Sequence, residues 1–162
     1  MRIDLNRLRP IQAALDAKIL ANHQVKSQDT RSKRILAFLV ETGELANETR
    51  CFKYWSLKDA SERSIILEEY VDGIHFIVSL ANDLDMDLVY EVQTSQLSLT
   101  QQFLDVFDCA NKLNNNFDKI NMDLLAKRYL QVGLTLGFNY DDIINAYMEK
   151  NEKNHQRQEE GY

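Results

Sequence analysis

The sequence contains few of the residues that break helices and form turns. Only 5 Gly and 1 Pro occur among its 162 residues, whereas these two residue types make up about 12% of an average protein. An all-β sandwich needs turn residues at short intervals, so this shortage argues against such a fold. The length and the apolar content of 44% predict one domain built mainly from long helices.

Cysteine and long apolar runs are scarce as well. Cys51 and Cys109 are far apart and match no zinc-binding or disulfide spacing, which favours a reducing, cytoplasmic setting. No segment approaches the roughly 18 apolar residues of a membrane helix, and the first residues, Met1-Arg2-Ile3-Asp4, lack the apolar core of a signal peptide. We therefore expect no membrane partner.

Basic residues are fewer than acidic ones. The chain has 19 Lys and Arg against 25 Asp and Glu, a net charge of -6. Broad electrostatic attraction to nucleic acid is therefore not expected. An acidic excess permits the binding of divalent cations, although it does not by itself predict it.

Apolar residues recur every three or four positions along most of the chain, as at Leu5, Leu8, Ile11 and Leu15. This rhythm is typical of amphipathic helices, and it predicts an all-α bundle of about six helices without a strand. The predicted helices run from Asp4 to about Ala21, from near Arg31 to Thr49, from near Asp59 or Ser61 (either of which would cap it) to Leu80, from Thr100 to Leu113, from Met122 to Leu136, and from Asn139 or Asp141 into the tail. Residues 82–98 are expected to form a connection, and residues 1–162 a single domain.

Five carboxylates fall on apolar-flanked stripes of the second and third helices. Glu41, Glu44 and Glu48 lie within about 60° of one another on a helix, and Glu69 and Asp72 are three residues apart on the next. Such acids are costly to bury unless something neutralises them. Two antiparallel helices would bring both acid pairs to one level, where a divalent cation such as Mg²⁺ could bind. The alternative is a pair of solvated helix faces.

Two further segments carry residue types that suit a nucleotide. Cys51-Phe52-Lys53-Tyr54-Trp55-Ser56 combines three aromatic rings with one cation, so it could stack on a base and reach a phosphate, or simply close the end of the bundle. The tail, residues 150–162, is polar. It is either disordered or, through its Lys, Asn, His and Arg side chains, a phosphate-binding motif.

Together these segments resemble the dimeric, all-α dUTPases of the MazG-like all-α pyrophosphatase superfamily, which share an ExxE motif followed by ExxD. The similarity extends from about Leu5 to Tyr162. It is carried by the run from Glu41 through Ser56, by Glu69-Tyr70-Val71-Asp72-Gly73-Ile74-His75-Phe76, and by Lys150-Asn151, Asn154-His155, Arg157-Gln158 and Gly161-Tyr162.

The resemblance implies a homodimer that hydrolyses dUTP to dUMP and pyrophosphate with the help of Mg²⁺. It implies that Glu41, Glu44, Glu69 and Asp72 hold the metal and that Glu48 orients water. The substrate contacts that it implies are Lys53, Lys150, His155 and Arg157 for the phosphates, Asn154 for the nucleotide, Trp55 for the uracil or deoxyribose, and Tyr162 as a closing residue. Gln12 and Asp16 are the candidates for base recognition, although Asp16 could equally be an exposed acid, and His75 and Phe76 are either core residues or pocket walls.

Two alternatives remain open at this stage. A related pyrophosphohydrolase that acts on another nucleoside triphosphate, such as dCTP, would share the acid cluster and differ in the base pocket. A non-catalytic helical interaction module would carry the same acids as structural or solvated groups.

Overall fold

The computed structural model describes residues 1–161, so Tyr162, the expected closing residue, lies outside the described residues. Over that range the chain forms six α-helices and two short β-strands. They are β1 (Arg2–Asp4), α1 (Leu8–Asn22), α2 (Ser27–Thr49), α3 (Arg63–Asp83), β2 (Val89–Glu91), α4 (Leu99–Asn115), α5 (Lys119–Thr135) and α6 (Tyr140–Glu159). The prediction of an all-α bundle is confirmed. None of the described helices is both long enough and apolar enough to cross a membrane.

The small sheet corrects the expectation of a chain without strands. β1 pairs antiparallel with β2, and Ile3 lies opposite Tyr90. These two side chains are buried, whereas Arg2 and Glu91 are exposed, which is the alternation of a half-buried strand. Strands of three residues are too short to produce a recognisable periodicity, so they were missed within the expected helix start and the expected connection.

The predicted cap of the third helix is also wrong. α3 begins after Glu62, and neither Asp59 nor Ser61 caps it. Ser61 instead binds the end of α2, because its hydroxyl donates to the Glu48 carboxylate and its N–H donates to the Glu48 carbonyl at 3.0 Å. The expected start of the last helix at Asn139 is confirmed, since Asn139 forms a reciprocal capping box with Asp142.

Helices α2 and α3 pack side by side in antiparallel directions, as the acid spacing predicts. At one end Ser61 contacts Glu48, and at the other Arg34 forms an ion pair with Asp83. Arg34 also donates to the Ser79 hydroxyl at 3.0 Å. The two helices are therefore fixed to each other at both ends, with the acid motifs between.

Two tyrosines and two glycines hold α3 against α5. The rings of Tyr70 and Tyr129 stack with their centroids 4.9 Å apart, and the Tyr129 hydroxyl donates to the Tyr70 carbonyl at 2.9 Å. Each ring lies over a glycine of the other helix: a Cβ at Gly73 would be 2.1 Å from the Tyr129 oxygen, and one at Gly133 would be 2.3 Å from the Tyr70 oxygen. Both rings are fully buried, so neither can move aside cheaply.

Replacing Gly133 by alanine is expected to lower the free energy of unfolding by about 2–3 kcal/mol, because the added methyl group overlaps the buried Tyr70 ring. Urea-induced unfolding measures the change. Gly43→Ala on α2 is the control, since a Cβ there meets nothing within 4 Å, and it should leave stability unchanged or raise it by up to about 1 kcal/mol. A Gly133→Ala protein as stable as the wild type would contradict the close fit of the two helices.

Candidate active site

Three carboxylates meet between α2 and α3. Glu41 from α2 and Glu69 and Asp72 from α3 place one carboxylate oxygen each within 4.8 Å of the others, and all three residues are half-buried. The spacing of Glu69 and Asp72 puts them on the same face of α3. Antiparallel packing then brings that face opposite the middle of α2. The structure thus assembles three of the four acids that the sequence predicts as metal ligands.

The electrostatics of this cluster are unfavourable without a cation. Burial raises the pKa of Glu41 to about 7, and the charges of Asp72, Glu44 and Glu69 act in the same direction. Burial also raises the pKa of Glu69, as do the charges of Asp72 and Glu44. The pKa of Asp72 is raised by burial too, although a hydrogen bond from Lys150 opposes the change. Half-buried carboxylates whose protons are held this strongly indicate negative charge that the protein itself does not neutralise.

Glu44 and Glu48 lie at the edge of the cluster. Glu44 is exposed, but its charge reaches Glu41 and Glu69, whose pKa values it helps to raise. Glu48 is one turn further along α2, and its carboxylate is fixed by the Ser61 hydroxyl. The charge of Glu48 also contributes to the raised pKa of Glu69, so it is close to the trio without joining it.

The donor set fits a divalent cation. Carboxylate oxygens are the ligands that Mg²⁺ prefers, and the ion commonly binds through a few carboxylates together with substrate phosphates. Glu41, Glu69 and Asp72 supply such oxygens at close range, and the crowding that raises their pKa values would be relieved by a cation. Glu44 acts on this group through its charge, which helps to raise the pKa values of Glu41 and Glu69.

A cavity of about 400 Å³ adjoins the acid cluster. On α3 its wall follows Asp72, His75, Phe76 and Ser79, which lie on successive turns of one face, so the cavity extends along that helix away from the acids. The lining residues from the other helices and from the segment between α1 and α2 are Gln12, Leu15, Asp16, Ile19, Leu20, Val25, Ser27, Thr30, Arg34, Glu41, Lys150, Asn154, Arg157 and Gln158.

One turn along α3 from Asp72, the cavity wall contains a fixed polar network centred on Gln12. The Gln12 side-chain oxygen accepts hydrogen bonds from the Tyr147 hydroxyl and from Nδ1 of His75, the latter at 2.8 Å, while its amide nitrogen donates to Asp16 at 2.8 Å. The His75 and Tyr147 rings stack with centroids 3.8 Å apart. These contacts hold the amide of Gln12 in one orientation.

His75 is neutral in this network. Burial lowers its pKa to about 3, and the charge of Lys150 acts in the same direction. With its Nδ1 proton donated to Gln12, its Nε2 is a hydrogen-bond acceptor, and within the described part of the chain this buried atom has no partner. An unsatisfied buried acceptor beside a cavity is a feature that a ligand donor would complete.

Asp16 is largely shielded from water in the same network. Burial raises its pKa, against the opposing effect of hydrogen bonds from Ser79 and Gln12 and of the Arg34 charge. Arg34 in turn binds Ser27, Ser79 and Asp83. Asp16, Ser79 and Arg34 therefore form a connected polar surface on the cavity wall. Asp16 is not the exposed acid of the alternative interpretation.

The tail is a helix along the cavity. α6 continues to Glu159, and its residues Lys150, Asn154, Arg157 and Gln158 line the cavity, a spacing that places them on one helical face. The outer part of α6 is tied to α1, because Lys18 forms an ion pair with Glu159 at 2.9 Å. The described part of the predicted 150–162 motif is thus ordered over the cavity rather than disordered.

Comparison with known protein families agrees with this arrangement. The model of the dUTPase family matches residues 4–162. The chain belongs to the dUTPase family. A search of curated proteins finds no relative that matches. The protein is therefore a hydrolase that acts on dUTP, and the cavity beside its acid cluster is the candidate site of that reaction in this dUTPase.

Three of the predicted substrate contacts lie elsewhere in the described structure of this dUTPase. Lys53 donates to the side chain of Asn47. Trp55 is 65% exposed and packs edge-on against Phe52 and Tyr54 in the segment that joins α2 and α3. His155 is on α6, but among the described residues it is not part of the cavity wall. A role for these residues in substrate binding stays a prediction.

Sequence reasoning missed other residues of the cavity. Ser79 follows His75 and Phe76 on the same face of α3, so extending the acid stripe by one turn would have identified it. Tyr147, which fixes Gln12, gave no such signal, because the contact joins α1 to α6 across most of the chain. Arg34 of α2 also lines the cavity and was not predicted as part of it.

Between pH 5 and pH 8 in the presence of a chelator, the free energy of unfolding is expected to fall as pH rises. Burial raises the folded-state pKa of Glu41 to about 7, above the ordinary value of 4.5 for a glutamate. The folded protein therefore binds more protons in this window, so its stabilisation is full below about pH 4.5 and is lost as pH rises through about 7. After allowance for solvent screening, we expect Glu41 to contribute about 1–2 kcal/mol to the change.

Urea-induced unfolding at each pH measures this dependence. Glu41→Gln is the matched variant, since it keeps the size of the side chain and cannot ionise, and its stability should vary less over the same range. A wild-type stability that rose between pH 5 and pH 8 would contradict the raised pKa of Glu41.

Proposed function

We propose that this dUTPase hydrolyses dUTP to dUMP and pyrophosphate with Mg²⁺ held by Glu41, Glu69 and Asp72, and with Glu44 as a further ligand at the rim. The observation that carries the proposal is the trio of carboxylates, whose oxygens lie within 4.8 Å of one another beside a cavity whose wall also carries a polar network. The order of the two acid motifs also supports a place in the MazG-like superfamily.

The chemistry of the acid end follows from charge. When bound, the cation neutralises phosphate charge and lowers the pKa of water at the site. The residues of the chain have separate tasks: Lys150, Asn154 and Arg157 line the same cavity and are the candidates for binding the phosphates. Glu48, whose carboxylate is fixed by Ser61, is the candidate for orienting the attacking water.

The base end favours uracil over cytosine. Nε2 of His75 is a buried acceptor without a partner in the described residues, and N3 of uracil carries a proton that can be donated to it. N3 of cytosine carries none, so a cytosine base would leave the buried acceptor unsatisfied, at a cost in binding. Gln12 and Asp16 lie beside His75 in the same network and are the candidates for base recognition. The Gln12 amide nitrogen can donate to a uracil carbonyl oxygen, whereas the Asp16 carboxylate accepts from that amide and holds it in place. Phe76 lines the wall.

A panel of nucleoside triphosphates with pyrophosphate detection tests this function. We expect dUTP to be hydrolysed at least about tenfold more efficiently than dCTP, because the His75 acceptor discriminates between the two bases. Glu69→Gln is expected to lower kcat by about a hundredfold or more, since it removes a charged ligand from the cation.

The matched control for that variant is Glu62→Gln, at the start of the same helix, where the side chain makes no capping hydrogen bond. It should retain wild-type turnover. If dUTP and dCTP were hydrolysed equally well, the role of His75 would be wrong. If Glu69→Gln were as active as Glu62→Gln, the carboxylate site would be wrong.

We further propose that the protein is a homodimer, with an interface that includes the outer face of α2 and α4. Leu36 and Val40 are exposed one turn apart on α2, and Leu104 is exposed on the neighbouring α4. The exposed Trp55 and Leu57 follow the end of α2. Large apolar side chains grouped in this way are typical of a surface that a partner covers.

Val40→Glu is expected to shift the protein towards monomers, because a charge in a covered apolar surface loses its hydration. Sedimentation equilibrium measures the association. Met148→Glu, an exposed apolar position on α6, is the matched control, because α6 packs mainly against α1 and α3. Loss of dimers in both variants, or in neither, would argue against an interface on α2 and α4.

A cytoplasmic location is also part of the proposal. Cys51 and Cys109 are both free thiols, the first half-buried and the second buried. Burial raises the pKa of Cys109, which keeps it in the less reactive thiol form. Free thiols of this kind suit a reducing compartment.

A further inference from the structure

The ammonium group of Lys150 lies directly on one of the proposed metal ligands. Its Nζ is 2.7 Å from Oδ2 of Asp72 and 3.2 Å from Oε1 of Glu68. The side chains of Lys150 and Asp72 are only 12% and 14% exposed, so this ion pair is shielded from water. Burial alone would lower the pKa of Lys150, but its hydrogen bonds with Asp72 and Glu68 outweigh burial and raise it.

We propose that Lys150 is an internal counter-ion that competes with the divalent cation for Asp72, so that cation and triphosphate strengthen each other's binding. The inference rests on the metal site proposed above. Lys150 was expected only to contact phosphate. The geometry gives it a second role, because the same ammonium cannot pair with Asp72 at full strength while a divalent cation binds there.

The competition follows from the charges. A cation that binds Asp72 must weaken the Lys150–Asp72 pair and is repelled by the ammonium, and both effects are larger in a half-buried site than at an open surface. Arg157 adds a smaller positive influence, since its charge also lowers the pKa of Asp72. Without nucleotide, Asp72 is therefore only partly available to a metal ion.

A triphosphate removes this obstacle. Lys150 lines the cavity together with Asn154 and Arg157, so phosphate oxygens that enter the cavity offer its ammonium group a new set of acceptors. As Lys150 turns to the phosphates, Asp72 becomes free for the cation. By linkage, a bound cation likewise favours binding of the triphosphate, since it frees Lys150 from Asp72.

Calorimetric titration of the full chain with Mg²⁺, in the absence of nucleotide, tests the proposal without relying on activity. Lys150→Met removes the competing charge, and Lys150→Gln does so while keeping a hydrogen-bond donor beside Asp72. We expect both variants to bind Mg²⁺ with a Kd about tenfold or more below that of the wild type. Lys153→Met is the matched control: Lys153 contacts Glu68 at 3.4 Å and is 55% exposed, and its removal should leave the Kd unchanged.

A second measurement repeats the titrations with a nonhydrolysable dUTP analogue. The analogue should lower the wild-type Kd for Mg²⁺ by a larger factor than it does for the two Lys150 variants. Chelation of Mg²⁺ by the nucleotide itself is the same in all of them, so it does not affect the comparison.

Thermal unfolding confirms that each variant is folded before titration, and Lys150→Gln serves if Lys150→Met is not. Unchanged or weaker Mg²⁺ binding in a folded Lys150 variant would overturn the proposal, and it would mean that Lys150 only orients Asp72. Failure of the metal site itself gives a different result: wild type and variants alike would then bind no Mg²⁺, with or without the analogue.

Discussion

The candidate active site depends on holding three negatively charged carboxylates close together. Glu41, Glu69 and Asp72 repel one another in a half-buried position, so the helices that carry them must be fixed by contacts elsewhere. The hairpin of α2 and α3 is fastened at one end by Ser61 and Glu48 and at the other by Arg34 and Asp83. Without such constraints the repulsion would separate the two helices, and the cluster would lose the geometry that suits a cation.

The sequence of α3 shows how one helix meets both demands. Glu69 and Asp72 face α2, while Tyr70 and Gly73, each the next residue along the chain, face α5. Tyr129 of α5 stacks on the Tyr70 ring and donates to the Tyr70 carbonyl. The backbone segment between Glu69 and Asp72 is therefore hydrogen-bonded to α5. Tight packing of α3 against α5 thus holds the helix in place despite the repulsion between the carboxylates that face α2. Gly73 and Gly133 suit their positions because the tyrosine rings leave no room for a Cβ.

Local pattern was enough to predict the helices and the opposition of the two acid motifs, because helical periodicity determines which side chains share a face. The further residues predicted for the cavity wall came from the family resemblance and not from periodicity. It failed where the outcome depends on contacts between distant segments. The pairing of Ile3 with Tyr90 joins two strands too short to show a period. The hydrogen bond between Tyr147 and Gln12 links α6 to α1.

Lys150 was assigned to phosphate from its residue type, but only the packing of α6 on α3 brings it to Asp72. The cap of α3 was mispredicted for a related reason. The Ser61 hydroxyl could have capped the start of α3, but it binds Glu48 at the end of α2 instead.

The net charge of the molecule does not explain how this dUTPase binds its substrate. A chain with net charge -6 repels a triphosphate at long range, and the acid cluster adds to that repulsion at short range. Attraction must therefore come from a few cations placed inside the cavity, where burial strengthens each interaction. Lys150 and Arg157 line that cavity, and both act on Asp72. The same positive charges that moderate the acids are thus the ones that face an incoming phosphate, so neutralising the cluster and recruiting the substrate are parts of one electrostatic balance.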